Sequence, residues 1–370
     1  MRKKTFYTLM ENLDNIHLMK DVGMFPYVLS KEGYYDSYIV SYGSPLENFP
    51  DLINVPDLHL VKRFRIFGNS ILDGILWLIL YSNSIDILNL YHYKPSTFIW
   101  LLVYKIFHPH GSVYVKLDID PSAGFKMKMK KGSLKYLVTK YVLGLAKVVS
   151  CETKSFKKFA DEHWPIEIKF IPNGIQSSQI STKQAKEKII LTVSRLGTEQ
   201  KATDILLKSF LRAIPYISQE WKLVLIGPVT PKFKQELKDD VYCTGAYSDR
   251  IIFTGPIPNR YLIDEYYKKA SIFTMPSRWE GFCLVSLEAI SKGDYMLTSD
   301  LLSFKELIDS KYGKTFKVDD VDSYANSIVD LCKRFDTGKL SFDIVELSKY
   351  LNKIYSYESI CNNLYRYISN

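Results

Sequence analysis

The stretch Pro276-Ser277-Arg278-Trp279-Glu280-Gly281-Phe282-Cys283-Leu284-Val285-Ser286-Leu287-Glu288-Ala289-Ile290-Ser291-Lys292-Gly293 decides how this chain is read. It follows Ala270-Ser271-Ile272-Phe273-Thr274-Met275, a short apolar run bounded by turn residues, which predicts a buried strand. Pro276 and Ser277 end that strand, and Gly281 allows a tight backbone. From Phe282 the apolar spacing turns helical through Leu284, Leu287 and Ile290, and Lys292 with Gly293 closes the helix as a cationic last turn and a C-cap. The unit is strand, glycine turn, helix. Unpaired N–H groups at such a helix start form a natural anion site. Glu280 lies on the loop before it, and Glu288 about two turns further on.

This segment resembles the E-x7-E motif of retaining glycosyltransferases of family 4, which have the GT-B fold: two Rossmann-like doubly wound α/β domains facing a central cleft. The resemblance implies that Glu280 contacts hydroxyls of a donor sugar and that Glu288 accepts hydrogen bonds from the ribose hydroxyls of a nucleotide. It further implies that the amides of Gly281, Phe282 and Cys283 approach the sugar and its phosphates. Elementary chemistry agrees, since carboxylates accept well from paired hydroxyls and a helix start suits a phosphate. Without the resemblance, the same residues read as a capped surface helix with two solvated glutamates.

Working back along the chain, Ile189-Ile190-Leu191-Thr192-Val193 predicts a buried strand, followed by a loop with Arg195 and Lys201 and a helix from Thr203. This resembles the family's second hallmark, an arginine and a lysine that bind the donor diphosphate. Two cations are what a pyrophosphate leaving group needs, because negative charge develops on it as the glycosidic bond breaks. Ala202 stands where the family usually has glycine. Strands are also expected at 221–226, 251–257 and 295–300, with helices at 261–268 and from Glu306. The resemblance places main chain near Ile257 against the nucleotide base. Leu301-Leu302-Ser303 replaces a glycine pair common in relatives, so donor-sugar selectivity is expected to differ. A last helix at 357–368 resembles the terminal segment that crosses back onto the first domain.

At 370 residues the chain is too long for one ordinary core, and its 46% apolar and 24% charged content is that of a globular protein. Its five cysteines show no C-x-x-C spacing, which predicts free thiols in a reducing compartment. Glu11 and Asp14 interrupt the N-terminal region, so no signal peptide is expected, and apolar runs such as 71–80 and 98–103 are too short to span a bilayer. A cytoplasmic protein is expected. The net charge of +9 is uneven: Lys126, Lys128, Lys130, Lys131, Lys135, Lys140 and Lys147 occur with no acid among them, interleaved with apolar residues from Ser133 onward. Such a segment suits peripheral contact with an anionic membrane or a phosphorylated acceptor, and equally a solvated lysine face over a core stripe. No nucleic-acid motif accompanies the charge.

The first half reads as alternating strands (4–9, 36–40, 58–65, 86–90, 112–117, 148–152) and helices (70–81, up to 107, from Ser133, from Thr153), a doubly wound sheet with strand C-termini at a cleft. The helix at 70–81 is apolar around most of its circumference. In the family the first strand leads into a glycine-containing loop, represented here by Gly23, with Lys20 as a candidate partner of an acceptor phosphate or a plain surface lysine. His92 follows a strand end, as a histidine does in many relatives, and is either structural or directly involved. Asp118-Ile119-Asp120 carries the D-x-D spacing that binds a divalent cation in glycosyltransferases of the other major fold. The E-x7-E segment argues for the metal-independent architecture, which leaves Asp118 as an acceptor-side or active-site candidate. Lys116, Asp118 and Asp120 stand where many relatives have a histidine. Residues 171–175 match the turn that closes the N-terminal domain, and 176–188 form a polar linker.

The expectation is an acceptor-binding domain over 1–175, joined by 357–370, and a nucleotide-sugar-binding domain over 186–356. The implied reaction moves a sugar from a nucleotide-sugar, a UDP-sugar in the first instance, to a lipid-linked or polysaccharide-precursor saccharide. Anomeric configuration is retained and no cofactor is required. With no side chain placed as a nucleophile, the expected chemistry is front-face displacement assisted by the leaving phosphate. Arg195 and Lys201 hold the diphosphate, Glu288 the ribose and Glu280 the sugar. The alternatives are a nucleotide-sugar epimerase of the same fold, and a basic lipid- or RNA-binding protein without catalysis.

Overall fold

Among the described residues thirteen strands, all in parallel pairing, make two sheets. The structure is a computed structural model that describes residues 2–42, 48–119, 124–177, 185–238, 249–307, 311–340 and 343–370. It divides into two compact units, Met1–Gln176 with Ile354–Asn370, and Ser177–Lys353.

The first unit contains β1 (Thr5–Leu9), β2 (Asp36–Tyr42), β3 (Leu58–Arg63), β4 (Ile87–Tyr91), β5 (Ser112–Lys116), β6 (Val148–Cys151) and β7 (Lys169–Phe170), in the order β3-β2-β1-β4-β5-β6-β7. Helices cover both faces, which is why strands such as β4 are buried at every residue and mostly apolar, without alternation. Ile87 and Tyr91 of β4 enter one core, with α1 (Asp21–Lys31) and the terminal helix Tyr357–Ser369. Leu88 and Leu90 enter the other, with α2 (Ser70–Tyr81), α3 (Pro95–Phe107) and the helix Lys154–His163. The helix starts follow their capping residues: Asn69 accepts from the Ile71 amide at 2.9 Å, Ser133 from Tyr136 at 3.2 Å and Thr153 from Phe156 at 3.4 Å. The terminal helix is tied in by a short parallel bridge, in which Ile175 donates to Tyr355 at 2.8 Å and Tyr357 donates back to Ile175 at 2.9 Å.

The second unit contains β8 (Glu187–Val193), β9 (Lys222–Ile226), β10 (Ile251–Gly255), β11 (Ala270–Met275), β12 (Tyr295–Ser299) and β13 (Gly313–Phe316), in the order β10-β9-β8-β11-β12-β13. The direction of winding reverses between β8 and β11, whose residues pair as Ile190 with Ile272 and Leu191 with Phe273. At such a switch point two successive loops leave adjacent strand ends, and ligands of doubly wound sheets bind there. The α/β, two-unit doubly wound class expected from sequence is the class observed.

Several local expectations need correction. Gly23 is not in a loop: it is the third residue of α1, packed so tightly that a Cβ would lie 2.3 Å from the Leu18 carbonyl oxygen. The strand expected to reach residue 65 stops at Arg63, whose buried guanidinium turns inward over Tyr42 and donates to Ser70 Oγ at 2.7 Å. The helix after Gly281 starts at Leu284 instead of Phe282, because Cys283 adopts a left-handed conformation (φ 54°) at its N-cap. Glu306 does not open a helix but lies near the end of Leu302–Leu307. The polar linker expected at 176–188 falls largely outside the described residues, and β8 already begins at Glu187. The helix Val321–Asp336, not expected from sequence, is capped by Asp320 and brings Tyr324 onto Phe316 with ring centroids 3.8 Å apart.

Candidate functional site

The loops that leave β8 and β11 meet. The β8 loop is shaped by Gly227, whose φ is 136° and where a Cβ would lie 1.9 Å from the Ser194 oxygen; no other residue fits. Thr203 Oγ1 accepts from the Gly197 amide at 2.9 Å, and Ala202 takes φ 45° to start the helix Thr203–Ala213. Lys201 is thereby carried onto Glu280, and its Nζ pairs with Glu280 Oε1. Ser277 Oγ donates to the same oxygen at 2.7 Å, and Ser277 is itself pinned from β12, since Ser299 Oγ donates to its carbonyl at 2.6 Å. Both Lys201 and Glu280 are largely withdrawn from solvent, so each needs the other while nothing else is bound.

Gln200 joins the two loops. Its Nε2 donates to the Trp279 carbonyl at 3.0 Å, its carbonyl accepts from the Arg278 amide at 2.9 Å, and its Oε1 accepts from Arg195 Nη2 at 3.2 Å. Arg195, exposed, is thus linked through the Gln200 side chain to the loop that carries Glu280. Arg278 braces the turn by donating to Asp319 at 2.8 Å and to the Glu199 carbonyl at 2.7 Å. Gly281 and Phe282 follow Glu280 on the turn, and Cys283 caps the helix. Burial, helped by the Glu280 charge, pushes the Cys283 thiol up to about 12, so it is a neutral group and not a nucleophile.

Glu288 lies on the second turn of that helix with partners of its own. Arg260 pairs with Oε1, and the buried Tyr267 hydroxyl donates to Oε2 at 3.2 Å. The Glu288 charge holds the Arg260 guanidinium above its ordinary range, outweighing burial. Arg260 opens the helix Arg260–Lys269, three residues beyond the half-buried Ile257, so the loop after β10 is tied to Glu288. Sequence reasoning missed Ser277, Gln200, Arg278, Tyr267 and Arg260. Only Ser277 left a local signal, a serine three residues before a glutamate.

In the first unit the strand ends gather a different set. Lys116, at the end of β5 and fully buried, has Glu152 at 3.7 Å and Asp21 at 3.8 Å, and donates to the Ile171 carbonyl at 3.2 Å. One cation faces two carboxylates. Burial raises Asp21 to about 6 and Glu152 to about 8; Lys116 opposes both shifts and the Asp118 charge adds to them. Glu152 accepts from the Asp118 amide at 3.0 Å and the Ile119 amide at 3.2 Å, and so holds Asp118 at φ 46°. His92, also left-handed at φ 69°, has Nδ1 at 3.5 Å from Asp118 Oδ2. Burial lowers the His92 pKa against the pull of Asp118, which favours the neutral imidazole. His92 also lines a pocket of about 220 Å³ with Glu11, Asn12, His17, Lys94 and Trp100, at the switch between β1 and β4. Lys20 stands exposed at the N-cap of α1, and Gly23 is buried inside it. Asp120 lies outside the described residues, and among those described no cluster of His, Cys, Asp and Glu is arranged to hold a metal ion.

Residues 187–334 match the family model of glycosyl transferases group 1, a span that contains Arg195, Lys201, Glu280 and Glu288. The chain is 37% identical over 112 residues to the lipopolysaccharide core biosynthesis mannosyltransferase LpcC of Rhizobium leguminosarum bv. viciae. It is 35% identical over 112 residues to the corresponding LpsB of Rhizobium meliloti. Each match spans 30% of this chain and 30% of the relative's length. Among solved structures, a glycosyltransferase from Rickettsia africae matches with TM-score 0.75 and 15% identity over 99% of this chain and 98% of that one. Anabaena Alr3699/HepE in complex with UDP and glucose matches with TM-score 0.72 and 13% identity over the whole of both chains. These structural likenesses establish the shared fold.

Proposed function

We propose that this chain is a glycosyltransferase of the retaining, family 4 type, which moves a sugar from a nucleotide-sugar to a saccharide acceptor. The observation that carries the reading is the meeting of the β8 and β11 loops, where Lys201 pairs with Glu280 and Arg195 bonds the Gln200 that bridges the loops, within the span that matches the family model. A sugar diphosphate supplies the anion that Lys201 lacks once it lets go of Glu280, and the carboxylate so released accepts from sugar hydroxyls. Arg195 and Lys201 then stabilise the charge that grows on the departing phosphate. This is work a metal ion does elsewhere, and no added cofactor is part of the proposal. Glu288, with Arg260 behind it, receives the ribose hydroxyls, and main chain near Ile257 the base; the amides of Gly281, Phe282 and Cys283 approach the phosphates.

In the reaction the C1–O bond to the phosphate breaks, the acceptor hydroxyl oxygen bonds to C1 from the same face, and its proton passes to the leaving phosphate oxygen. No protein nucleophile takes part, in keeping with the neutral Cys283 thiol and with Glu280 acting to position the sugar. The Asp118–His92 pair and its neighbouring pocket, with Lys20, form the acceptor side. A relative acts in lipopolysaccharide core synthesis, which favours a lipid-linked or surface-polysaccharide acceptor, and a solved neighbour binds UDP, which favours a UDP-sugar or related donor. Residues 126–147 would touch an anionic membrane from the cytoplasmic side.

A thermal-shift panel of UDP-, GDP- and ADP-sugars tests this directly, since a ligand held by the native state raises its midpoint. One donor class should stabilise the protein, and Glu288→Ala should abolish that shift. No shift with any donor, or an unaltered shift and turnover in Glu288→Ala, would refute the assignment.

A further inference from the structure

Two neighbouring strand ends of the first unit each carry a non-glycine residue in the left-handed region, His92 after β4 at φ 69° and Asp118 after β5 at φ 46°. Their side chains meet, with His92 Nδ1 3.5 Å from Asp118 Oδ2. Residues with a Cβ disfavour this region, and a fold that keeps them there does so through surrounding bonds, most often at a working site. The bonds are explicit here. The His92 amide donates to the Lys116 carbonyl at 2.8 Å and the Leu117 amide to the Ser150 carbonyl at 2.9 Å, which ties β4, β5 and β6 at one level. Past that level Glu152 takes over: its Oε1 accepts from the Asp118 amide at 3.0 Å and its Oε2 from the Ile119 amide at 3.2 Å.

A buried glutamate is a demanding brace for a turn. Its side chain is 3% exposed, and it shares the cation Lys116 with a second carboxylate, Asp21. A serine or a main-chain carbonyl would accept from an amide without burying an ionisable group. What a carboxyl group adds is two acceptor oxygens in one plane, which fix two successive amides and with them the direction in which the Asp118 side chain leaves the turn. Lys116 is itself anchored, donating to the Ile171 carbonyl at 3.2 Å with its Nζ 4.6 Å from the centroid of the Phe25 ring. The buried acid has no access to a substrate, whereas the Asp118 side chain is 48% exposed.

We propose that Glu152 is a positioning residue of the acceptor side: by holding the Asp118 and Ile119 amides it turns the Asp118 carboxylate toward His92 and toward the incoming acceptor hydroxyl. Lys116 holds Glu152 in place, and Asp21 shares the charge of Lys116. This role rests on the sugar-transfer reading, in which Asp118 and His92 face the acceptor. Glu152→Ala should fold, because its removal leaves Lys116 with Asp21 at 3.8 Å, one cation to one carboxylate.

The test is an NMR titration of His92 in the full chain carrying isotope-labelled histidine, its resonance assigned by its loss in His92→Gln. The imidazole midpoint is read in the wild type, Asp118→Asn, Glu152→Ala, Glu152→Gln and the double variant Asp118→Asn/Glu152→Ala. Glu11, His17 and Lys94 also face the ring and are the same in all five. Asp118→Asn should lower the midpoint, since the pull of the carboxylate is gone. Glu152→Ala should lower it comparably, and Glu152→Gln, which keeps one acceptor oxygen, should fall between and decides the matter should Glu152→Ala not fold. The double variant should fall no further than Asp118→Asn, as expected of a residue that acts through Asp118. Release of free nucleotide from the donor that stabilises the wild type, with water in place of the acceptor, supplies the kinetic half. Glu152→Ala should lower kcat by at least roughly tenfold through misplacement of Asp118. Donor KM and donor-induced thermal shift should not change, because Arg195, Lys201, Glu280 and Glu288 belong to the other unit. A wild-type His92 midpoint or wild-type turnover in the Glu152 variants, or a further fall in the double variant, would overturn the proposal. A wild type that turns over no donor would instead sink the sugar-transfer reading itself, and the acceptor role of Asp118 with it.

Discussion

Arg260 and Tyr267, from one helix, each hold one oxygen of Glu288, so the carboxylate is fixed in direction before any ligand arrives. Removing Arg260 leaves a buried acid with one neutral partner. Because the guanidinium is 46% exposed and water screens the pair, Arg260→Ala should lower stability by only about 1–2 kcal/mol, less than for a fully enclosed pair. Urea denaturation measures that loss. On the proposed function, donor affinity should fall by roughly tenfold in the same variant, read as a reduced thermal shift.

The Lys201–Glu280 pair allows a cycle that separates stability from chemistry. Lys201→Met strands a buried carboxylate on Ser277 alone and should destabilise by about 2–4 kcal/mol. Adding Glu280→Gln should restore most of that stability, because no charge is then left unmatched. Turnover should not return in the double variant, since a transition-state cation is still missing, and a deficit of roughly 10²–10³-fold is expected.

The buried carboxylates of the first unit predict a pH dependence with a definite sign. Burial raises Glu152 from 4.5 to about 8 and Asp21 from 3.8 to about 6 in the folded state. The native state therefore holds protons that the unfolded chain has already released. That stability is complete below the unfolded values and drains away as pH rises through the folded ones, at up to about 1.4 kcal/mol per pH unit for each proton. Melting temperatures should fall between pH 4.5 and pH 8. Glu152→Gln, which still accepts from the Asp118 amide, should flatten the upper part of the slope.

Ala202 is fully buried in a left-handed conformation that a Cβ disfavours. Ala202→Gly should be neutral to stabilising by up to about 1 kcal/mol, the relief of strain exceeding the added freedom of the unfolded chain. Ala202→Val should lose more than about 2 kcal/mol. Thermal unfolding of the two variants decides it.

The sheet layers were legible because doubly covered strands such as 270–275 and 87–91 are mostly apolar with no polar alternation, and because Asn69, Ser133 and Thr153 announce helix starts through purely local bonds. The pairing of loops was only partly legible. Glu280 and Lys201 could be singled out as chemistry-bearing residues, but nothing within either segment encodes that Gln200 bridges to Trp279 or that Arg260 reaches Glu288. Those contacts are products of strand order. Lys116 was noted only as standing, with Asp118 and Asp120, where many relatives have a histidine, since its role is set by Asp21 and Glu152, which come from two other elements. The apolar circumference of α2 left open which side is buried, and the structure buries the side carrying Asp73, Gly74, Trp77 and Leu78.

The exchange of hydrogen bonds between Ile175 and the Tyr355–Tyr357 segment sets an order on biosynthesis. Tyr357, Ile360, Cys361, Leu364 and Ile368 are part of the first unit's interior, so that unit stays unfinished until the ribosome has released residues 354–370. The unit begun second is the one completed first. The nascent first unit must keep its open flank shielded until residues 354–370 have emerged.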